Sequence, residues 1–162
     1  MDRIKFGVIG CGHIGKRHAT MIQLNSECEL VALCDTADGV VENTALQSVN
    51  FYSSAEEMLE NEPSIDVVCV CTPNGYHAEQ ASLALDYGKH VVVEKPMGLS
   101  KAACEGLIFK ALNVSKNVFC VMQNRYSPPS VWLKEMVSDG HLGEVYNVQV
   151  NCYWNRDDRY YF

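Results

Sequence analysis

Five short apolar runs, separated by amphipathic stretches, most constrain what this chain can fold into. The runs are rich in β-branched residues and cover 4–10, 28–35, 65–73, 90–96 and 117–124. Continuous apolar runs of this length are typical of strands that are buried on both faces of a parallel sheet. A shorter run at 50–53 predicts one further strand. The sequence therefore predicts a sheet of six strands, most of it buried.

The amphipathic stretches between the runs predict helices over 14–25, 37–47, 54–61, 75–87 and 100–113. Helix start and stop residues flank several of them. The sequence SAEE from Ser54 fits a capping box, Asn74 and Ser100 suit N-caps, and Gly88 fits a C-terminal stop. Regular alternation of strand and helix predicts an α/β fold, a doubly wound parallel sheet with right-handed crossovers.

The last 38 residues depart from this alternation. Pro128 and Pro129 enter a short helix, where proline is tolerated in the first turn. Residues 143–154 alternate between apolar and polar, which predicts a long strand with one covered face. No partner strands remain in the sequence for it. We therefore expect residues 1–124 to form one domain and residues 125–162 to be the start of a second, truncated α/β domain.

Charge and composition exclude several classes of protein. The 162 residues are 48% apolar and carry a net charge of −7, so the chain should fold and lacks the clustered cations that nucleic acid or a membrane surface requires. No secretory signal or membrane-spanning run is present, which favours a cytoplasmic protein.

The eight cysteines lie in apolar segments and predict buried, reduced thiols. We expect no metal site, because Cys69 and Cys71 have no matching second pair of ligands.

Gly10, Gly12 and Gly15 have the G-x-G-x-x-G spacing, between a predicted strand and a predicted helix. In that context the first glycine makes a tight turn, the second lets a pyrophosphate approach the backbone, and the third lets the helix pack on the strand. The helix start, which includes His13 and Ile14, attracts the phosphates. The motif predicts a dinucleotide-binding Rossmann domain. The alternative is a glycine-rich turn without a ligand.

Asp35 ends the second predicted strand, twenty residues after Gly15. A carboxylate there accepts hydrogen bonds from the adenosine ribose hydroxyls and repels a 2′-phosphate. Neither Thr36 nor Ala37 supplies a compensating cation. We therefore predict NAD rather than NADP as the cofactor. An N-cap for the following helix is the alternative role for Asp35.

Three segments, GVIGCGHIGKRH, CTPNGYH and VEKPMG, together resemble the glucose–fructose oxidoreductase, inositol dehydrogenase and rhizopine-catabolism family of NAD(P)-dependent oxidoreductases. The resemblance implies that Lys95 is catalytic and hydrogen-bonds the reacting hydroxyl or carbonyl of a sugar or cyclitol. It implies that Glu94 lies beside the nicotinamide ribose and that a cis bond precedes Pro96. The nicotinamide side is expected to be lined by Thr72, Pro73 and Asn74, with His77 just behind. For His77, an imidazole satisfied by the local backbone is the alternative.

Substrate contacts are harder to assign. Arg125, Trp154 and Arg156 are candidates, because arginines among aromatic residues suit a sugar ring or an anionic sugar nucleotide. An equally good interpretation is that these arginines are solvated charges beside an aromatic cluster at the edge of a core. Members of the family have a second domain that supplies a catalytic histidine and often mediates oligomerisation. The longer protein is thus expected to be a homo-oligomer, and this chain alone a poor catalyst.

Three functions are consistent with these residues. The chain is the cofactor domain of an NAD-dependent dehydrogenase acting on a sugar, sugar nucleotide or cyclitol; or a relative that binds NAD for regulation; or a degenerate fragment without activity. The intact Lys95 counts against the second, and failure to bind NAD would identify the third.

Overall fold

A six-stranded parallel sheet forms the centre of the computed structural model, which describes residues 2–42, 44–155, 157 and 158. The strand order across the sheet is β3-β2-β1-β4-β5-β6. All six strands lie within a residue or two of the predicted runs or inside them, so the α/β prediction is confirmed. Their bounds are β1 Ile4–Ile9, β2 Cys28–Cys34, β3 Asn50–Tyr52, β4 Val67–Val70, β5 His90–Val93 and β6 Val118–Cys120.

Helices connect most of the strands. They are α1 His13–Leu24, α2 Ala55–Asn61, α3 His77–Asp86, α4 Lys101–Asn113 and α5 Pro128–Ser138. The Ser54 hydroxyl accepts from the Glu57 N–H at 3.0 Å and thereby caps α2, as predicted. Ser100 caps α4 in the same way, accepting from the Ala103 N–H at 3.1 Å. Two short 3₁₀ helices, Asn74–Tyr76 and Gln123–Tyr126, precede α3 and α5.

The core lies on both faces of the sheet, because successive residues of a strand point to opposite sides. On β1, Val8 and Ile9 are both fully buried, in two different clusters. Ile9 packs with Met58 of α2, while Val8 packs in the cluster that contains Ala19 of α1. Burial on both faces explains why the strand sequences read as continuous apolar runs.

Two local predictions were wrong in the part of the chain that forms the sheet. Residues 37–47 form a series of turns rather than a helix in the part that the structure describes. Gly39 has a φ of +71°, and the Thr44 side chain bonds the Val41 carbonyl oxygen and the Leu46 N–H, so local bonds replace helical ones. Asn74 is not an N-cap, because it lies within the 3₁₀ turn that precedes α3.

The chain divides into two compact units, one up to Met122 and one from Gln123. In the second unit, α5 begins with Pro128 and Pro129 in its first turn, as predicted. The strand predicted over 143–154 is not formed, and Tyr146, Val148 and Val150 are exposed. A strand requires a neighbour for its backbone hydrogen bonds, and the described residues provide none there.

Within the described ranges, no helix is long and apolar enough to cross a membrane.

Candidate functional site

A crevice of about 940 Å³ lies at the carboxyl ends of the strands. The strand order reverses its direction between β1 and β4, which are neighbours in the sheet. In open α/β sheets, ligands bind at such a switch point. The loops after β1, β2, β3 and β4 all contribute to the lining, through Gly10, Gly12, His13, Ile14, Asp35, Thr36, Ser53, Ser54, Thr72 and Pro73 among others.

The glycine turn after β1 has the geometry that the motif predicts. Gly10 has a φ of +90°, and a Cβ there would lie only 2.7 Å from the backbone of Cys71 and Thr72. A Cβ on Gly15 would overlap the carbonyl oxygen of Gly10, so no side chain fits between helix and strand. A Cβ on Gly12 would meet no protein atom within 4 Å, although Gly12 lines the crevice. This open approach to the backbone suits a pyrophosphate.

Helix α1 directs its amino terminus at this turn. Gly12 is its N-cap and provides no side-chain cap, and the first helical bond runs from the Lys16 N–H to the Gly12 carbonyl oxygen at 3.0 Å. The N–H groups of His13, Ile14 and Gly15 therefore have no acceptor within the helix. Such N–H groups, together with the helix dipole, form a binding site for phosphate.

Asp35 lines the crevice at the end of β2. Its Oδ2 accepts from the Cys11 N–H at 2.6 Å, and its Oδ1 accepts from the Ala37 N–H at 3.0 Å. Each carboxylate oxygen can accept a further hydrogen bond, so ribose hydroxyls can still be bound. The carboxylate also fixes the glycine turn, a role that the sequence did not indicate. Helix capping, the alternative, does not apply because the described residues that directly follow Asp35 form turns rather than a helix.

Among the described lining residues, the side chains make the crevice acidic. Asp35, Glu56 and Glu79 line it, and no lysine or arginine is among its described lining residues. Burial, assisted by the nearby Asp35 carboxylate, raises the pKa of Cys11 to about 11. Burial likewise raises the pKa of Cys34, which also lines the crevice, to about 12. These thiols stay protonated. Among the described lining residues, backbone N–H groups rather than lysine or arginine side chains are available to an anionic ligand.

The residues that follow β4 support the opposite wall of the crevice. The Thr72 hydroxyl donates to Oε1 of Gln80 at 2.5 Å, and Thr72, Pro73 and Gln80 all line the crevice. Asn74 is exposed in the 3₁₀ turn and is not a lining residue. Sequence reasoning missed Gln80, whose only indication was its place on the helix that follows the motif.

His77 is only 1% exposed and lies behind the crevice rather than in its lining. Its Nδ1 is 2.7 Å from the Pro96 carbonyl oxygen, and its Nε2 is 2.7 Å from the Thr72 carbonyl oxygen. His77 therefore joins the segments that follow β4 and β5. These contacts favour the backbone-satisfied alternative over direct contact with a cofactor.

Glu94 and Lys95 follow β5, the strand next to β4. Glu94 is 8% exposed, and its Oε2 accepts from the Lys95 backbone N–H at 3.2 Å. The Lys95 side chain is exposed, and its ammonium forms no ion pair with the described residues. The Lys95–Pro96 bond is cis.

A residue that sequence reasoning missed contacts Glu94. Nε2 of His18, on α1, lies 2.9 Å from Oε1 of Glu94. His18 stands three residues after Gly15 in the glycine motif, on the side of α1 that faces the sheet. Helical spacing could have indicated this, since Gly15, Ala19 and Ile22 are the buried residues of α1.

The predicted substrate residues lie in the second unit. Arg125 is exposed in the 3₁₀ helix Gln123–Tyr126, and Trp154 is 69% exposed. Arg156 lies outside the described residues. Their role in substrate binding stays a prediction.

In the described part of the chain, no three His, Cys, Asp or Glu side chains are grouped so that they could hold a metal ion. The eight cysteines are all free, as predicted, but only Cys11, Cys34, Cys69 and Cys71 are buried. Cys28, Cys104 and Cys120 are half-buried and Cys152 is exposed, so burial was predicted wrongly for these four.

Comparison with known proteins identifies a family and several relatives that the chain resembles. A profile of the Gfo/Idh/MocA oxidoreductase family, described as having an NAD-binding Rossmann fold, matches residues 4–122. D-glucoside 3-dehydrogenase of Escherichia coli is 31% identical over 148 residues, which are 88% of this chain and 41% of that protein. α-N-acetylgalactosaminidase of Shewanella oneidensis is 30% identical over 157 residues, which are 90% of this chain and 34% of that protein.

Among solved structures, the WlbA dehydrogenase of Bordetella pertussis, in complex with NADH and UDP-GlcNAcA, is 32% identical. It matches with a TM-score of 0.93 over 99% of this chain and 48% of that one. The present chain thus spans less than half the length of each of these relatives. Its glycine turn, its strand order and the profile match together show that it belongs to the Gfo/Idh/MocA family of NAD-binding oxidoreductases.

Proposed function

We propose that this chain is the cofactor-binding part of an NAD-dependent dehydrogenase that oxidises or forms a secondary alcohol on a sugar, sugar nucleotide or cyclitol. One juxtaposition carries the proposal. An open glycine turn at the switch point is followed, at the neighbouring strand ends, by the acidic and basic pair Glu94 and Lys95. The glucoside and UDP-sugar ligands named for the two dehydrogenase relatives support the substrate class.

The geometry of the crevice supports the roles proposed for the residues that line it, whereas those proposed for Asn74 and Glu94 rest on the resemblance to the family. The pyrophosphate would be held by the backbone of Gly10 and Gly12 and by the free N–H groups of His13, Ile14 and Gly15. Asp35 would accept from the adenosine ribose hydroxyls. On the nicotinamide side the proposed contacts are Thr72, Pro73 and Asn74, with Glu94 beside the ribose. When bound, NAD supplies the hydride acceptor or donor.

Lys95 is the proposed catalytic residue. An ammonium can hydrogen-bond the oxygen of the reacting alcohol or carbonyl and stabilise the charge that develops on it as the hydroxyl proton leaves or returns. Its exposed side chain at the end of β5 leaves it free to contact a substrate. Replacing Lys95 by Met should leave NADH binding unchanged and abolish turnover, because only the reacting oxygen would lose a partner.

The proposal is tested by titrating the chain with NADH and with NADPH by calorimetry. Turnover is then measured at 340 nm with NAD and a panel of glucosides, cyclitols and UDP-sugars. We expect preferential NADH binding and only poor turnover by this chain alone. In a longer protein that contains this chain, we expect turnover that depends on Lys95. Binding of neither nucleotide would contradict the proposal.

Glycoside hydrolysis is a second candidate, favoured by the 30% identity to an α-N-acetylgalactosaminidase. The net reaction adds water across a glycosidic bond and consumes no NAD. Release of nitrophenol from p-nitrophenyl α-N-acetylgalactosaminide, with no net change at 340 nm, would favour it.

NADH binding without either reaction, in a longer protein with Lys95 intact, would favour a regulatory role instead.

A further inference from the structure

His18 makes a long-range polar contact in the described structure. It lies on α1, whose amino terminus faces the phosphate site, and its Nε2 is 2.9 Å from Oε1 of Glu94, 76 residues away. Both side chains are shielded from solvent, His18 being 21% and Glu94 10% exposed. A pair on an open surface contributes little to stability, but a shielded pair fixes its partners more firmly.

The Glu94 carboxylate is held at both oxygens. Oε1 faces His18, and Oε2 accepts from the Lys95 backbone N–H at 3.2 Å. Each oxygen has a second lone pair, so the carboxylate can still accept from ribose hydroxyls. Its other neighbours include the thiols of Cys69 and Cys71, whose pKa values are raised mainly by burial and partly by the negative charge of Glu94. Among the described residues, His18 is the side chain that lies within hydrogen-bond distance of the Glu94 carboxylate.

We propose that His18 is a positioning residue that fixes Glu94 for the nicotinamide half of the cofactor. The inference rests on the proposed role of Glu94 beside the nicotinamide ribose. Because α1 starts at the phosphate site and carries His18 on its sheet-facing side, one rigid helix sets the distance between the two halves of the site. Without the imidazole, the Glu94 side chain loses its Oε1 donor and can adopt other rotamers.

The test compares NADH with ADP, which has the adenosine and both phosphates but lacks the nicotinamide ribose. Calorimetry on the full chain should show that His18→Leu weakens NADH binding about ten-fold and leaves ADP binding unchanged. The variant loses the hydrogen bond to the Glu94 carboxylate, which affects only the nicotinamide half of the cofactor. His18→Gln should restore most of the affinity, because its amide N–H group can take the place of Nε2–H. Gln23→Leu, an exposed change on the same helix, is the matched control and should alter neither affinity.

Glu94→Gln separates this inference from the proposed function. A wild-type chain that binds neither nucleotide contradicts both. If Glu94→Gln leaves the NADH-to-ADP affinity ratio unchanged, the role of Glu94 is wrong, and the inference fails with it. If Glu94→Gln lowers the ratio but His18→Leu does not, or lowers NADH and ADP affinity equally, only the inference is overturned. The His18→Leu/Glu94→Gln double variant should bind NADH no more weakly than the weaker single variant.

Discussion

The Asp35 carboxylate holds the glycine turn and is also proposed to bind the adenosine ribose. It accepts hydrogen bonds from two backbone N–H groups, of Cys11 and Ala37, and its charge lies in the crevice where an adenosine ribose would bind. Asp35→Asn removes the charge and keeps one acceptor oxygen. We expect the preference for NADH over NADPH to fall about ten-fold, because a neutral amide no longer repels the 2′-phosphate. Calorimetric dissociation constants for both nucleotides measure the ratio.

Asp35→Ala is the informative control for that experiment. Alanine removes both backbone contacts as well as the charge, so it should also lower the melting temperature of the chain, whereas Asp35→Asn should lower it less. An unchanged NADH-to-NADPH ratio in Asp35→Asn would contradict the assigned role in cofactor choice.

Gly12 and Gly15 provide a matched pair. A Cβ on Gly15 would overlap the Gly10 carbonyl oxygen, so Gly15→Ala should separate α1 from β1 and destabilise the fold by about 1–3 kcal/mol. A Cβ on Gly12 meets no protein atom within 4 Å, so Gly12→Ala should leave stability unchanged. It should nevertheless weaken NADH binding at least several-fold, because the methyl group occupies the path of the pyrophosphate.

Urea unfolding and NADH titration of the two variants check this pair. Equal loss of stability in both would show that Gly12 is needed for packing rather than for the ligand.

The glycine turn could be predicted because Gly10 and Gly15 have steric requirements that only glycine meets, and because the spacing to Gly12 completes the motif. Contacts between distant segments could not. Nothing in the sequence near His18 indicates Glu94, and nothing near His77 indicates the Pro96 carbonyl, since both pairings depend on the sheet order. The backbone contacts that favour one alternative for His77 are visible only from its partners in space, and for Asp35 the structure excludes only the helix-capping alternative.

At the scale of single elements, capping residues identified the starts of two helices correctly. The Ser100 hydroxyl accepts from the Ala103 N–H, and α4, which it caps, buries Leu107 and Ala111 against the sheet. Ser100→Ala should lower the free energy of unfolding by about 1 kcal/mol, since one amide at the helix start loses its partner. Chemical denaturation measures the change.

Ser100→Asp, which keeps an acceptor and adds a favourable charge at the helix start, should retain most of that stability. Neither variant should alter NADH binding, because Ser100 does not line the crevice. A Ser100→Ala variant as stable as the wild type would show that the cap contributes nothing.

One element that sequence reasoning predicted wrongly is the helix over 37–47. Its composition is compatible with a helix, but Gly39 has a positive φ and Thr44 bonds locally to the backbone. Val41 and Leu46 are nevertheless buried against the sheet, so the turns supply the apolar cover that a helix would have given. Apolar spacing predicted the buried positions and could not distinguish a helix from consecutive turns.

For the whole molecule, a parallel sheet flanked by helices follows from the alternation of strands and helices, and this is why the sequence predicted the fold class well. The strand expected over 143–154 shows the limit of that reasoning. An alternating pattern indicates which residues a strand would bury, but the strand forms only where a partner supplies hydrogen bonds. In the described residues that segment has no such partner and stays exposed.

Two buried thiols, Cys11 and Cys34, should make the whole fold less stable at alkaline pH. Burial raises the pKa of Cys11 from 9.0 to about 11 and that of Cys34 from 9.0 to about 12. Between pH 9 and 11 the unfolded chain therefore releases protons that the folded chain keeps. Stability should fall as the pH rises through this window, by up to about 1.4 kcal/mol per pH unit for each thiol.

Urea unfolding at pH 8.5, 9.5 and 10.5 measures this slope. Lys89 acts in the opposite direction, because burial lowers its pKa, so the comparison must be made between variants. Cys34→Ala removes one buried thiol and should flatten the fall in stability, whereas Cys152→Ala, at an exposed site, should leave the slope unchanged. If Cys34 had the same pKa in the folded and unfolded chains, the Cys34→Ala and Cys152→Ala variants would lose stability with pH at the same rate. Ionisation of Cys34 would then make no contribution to the loss of stability at alkaline pH.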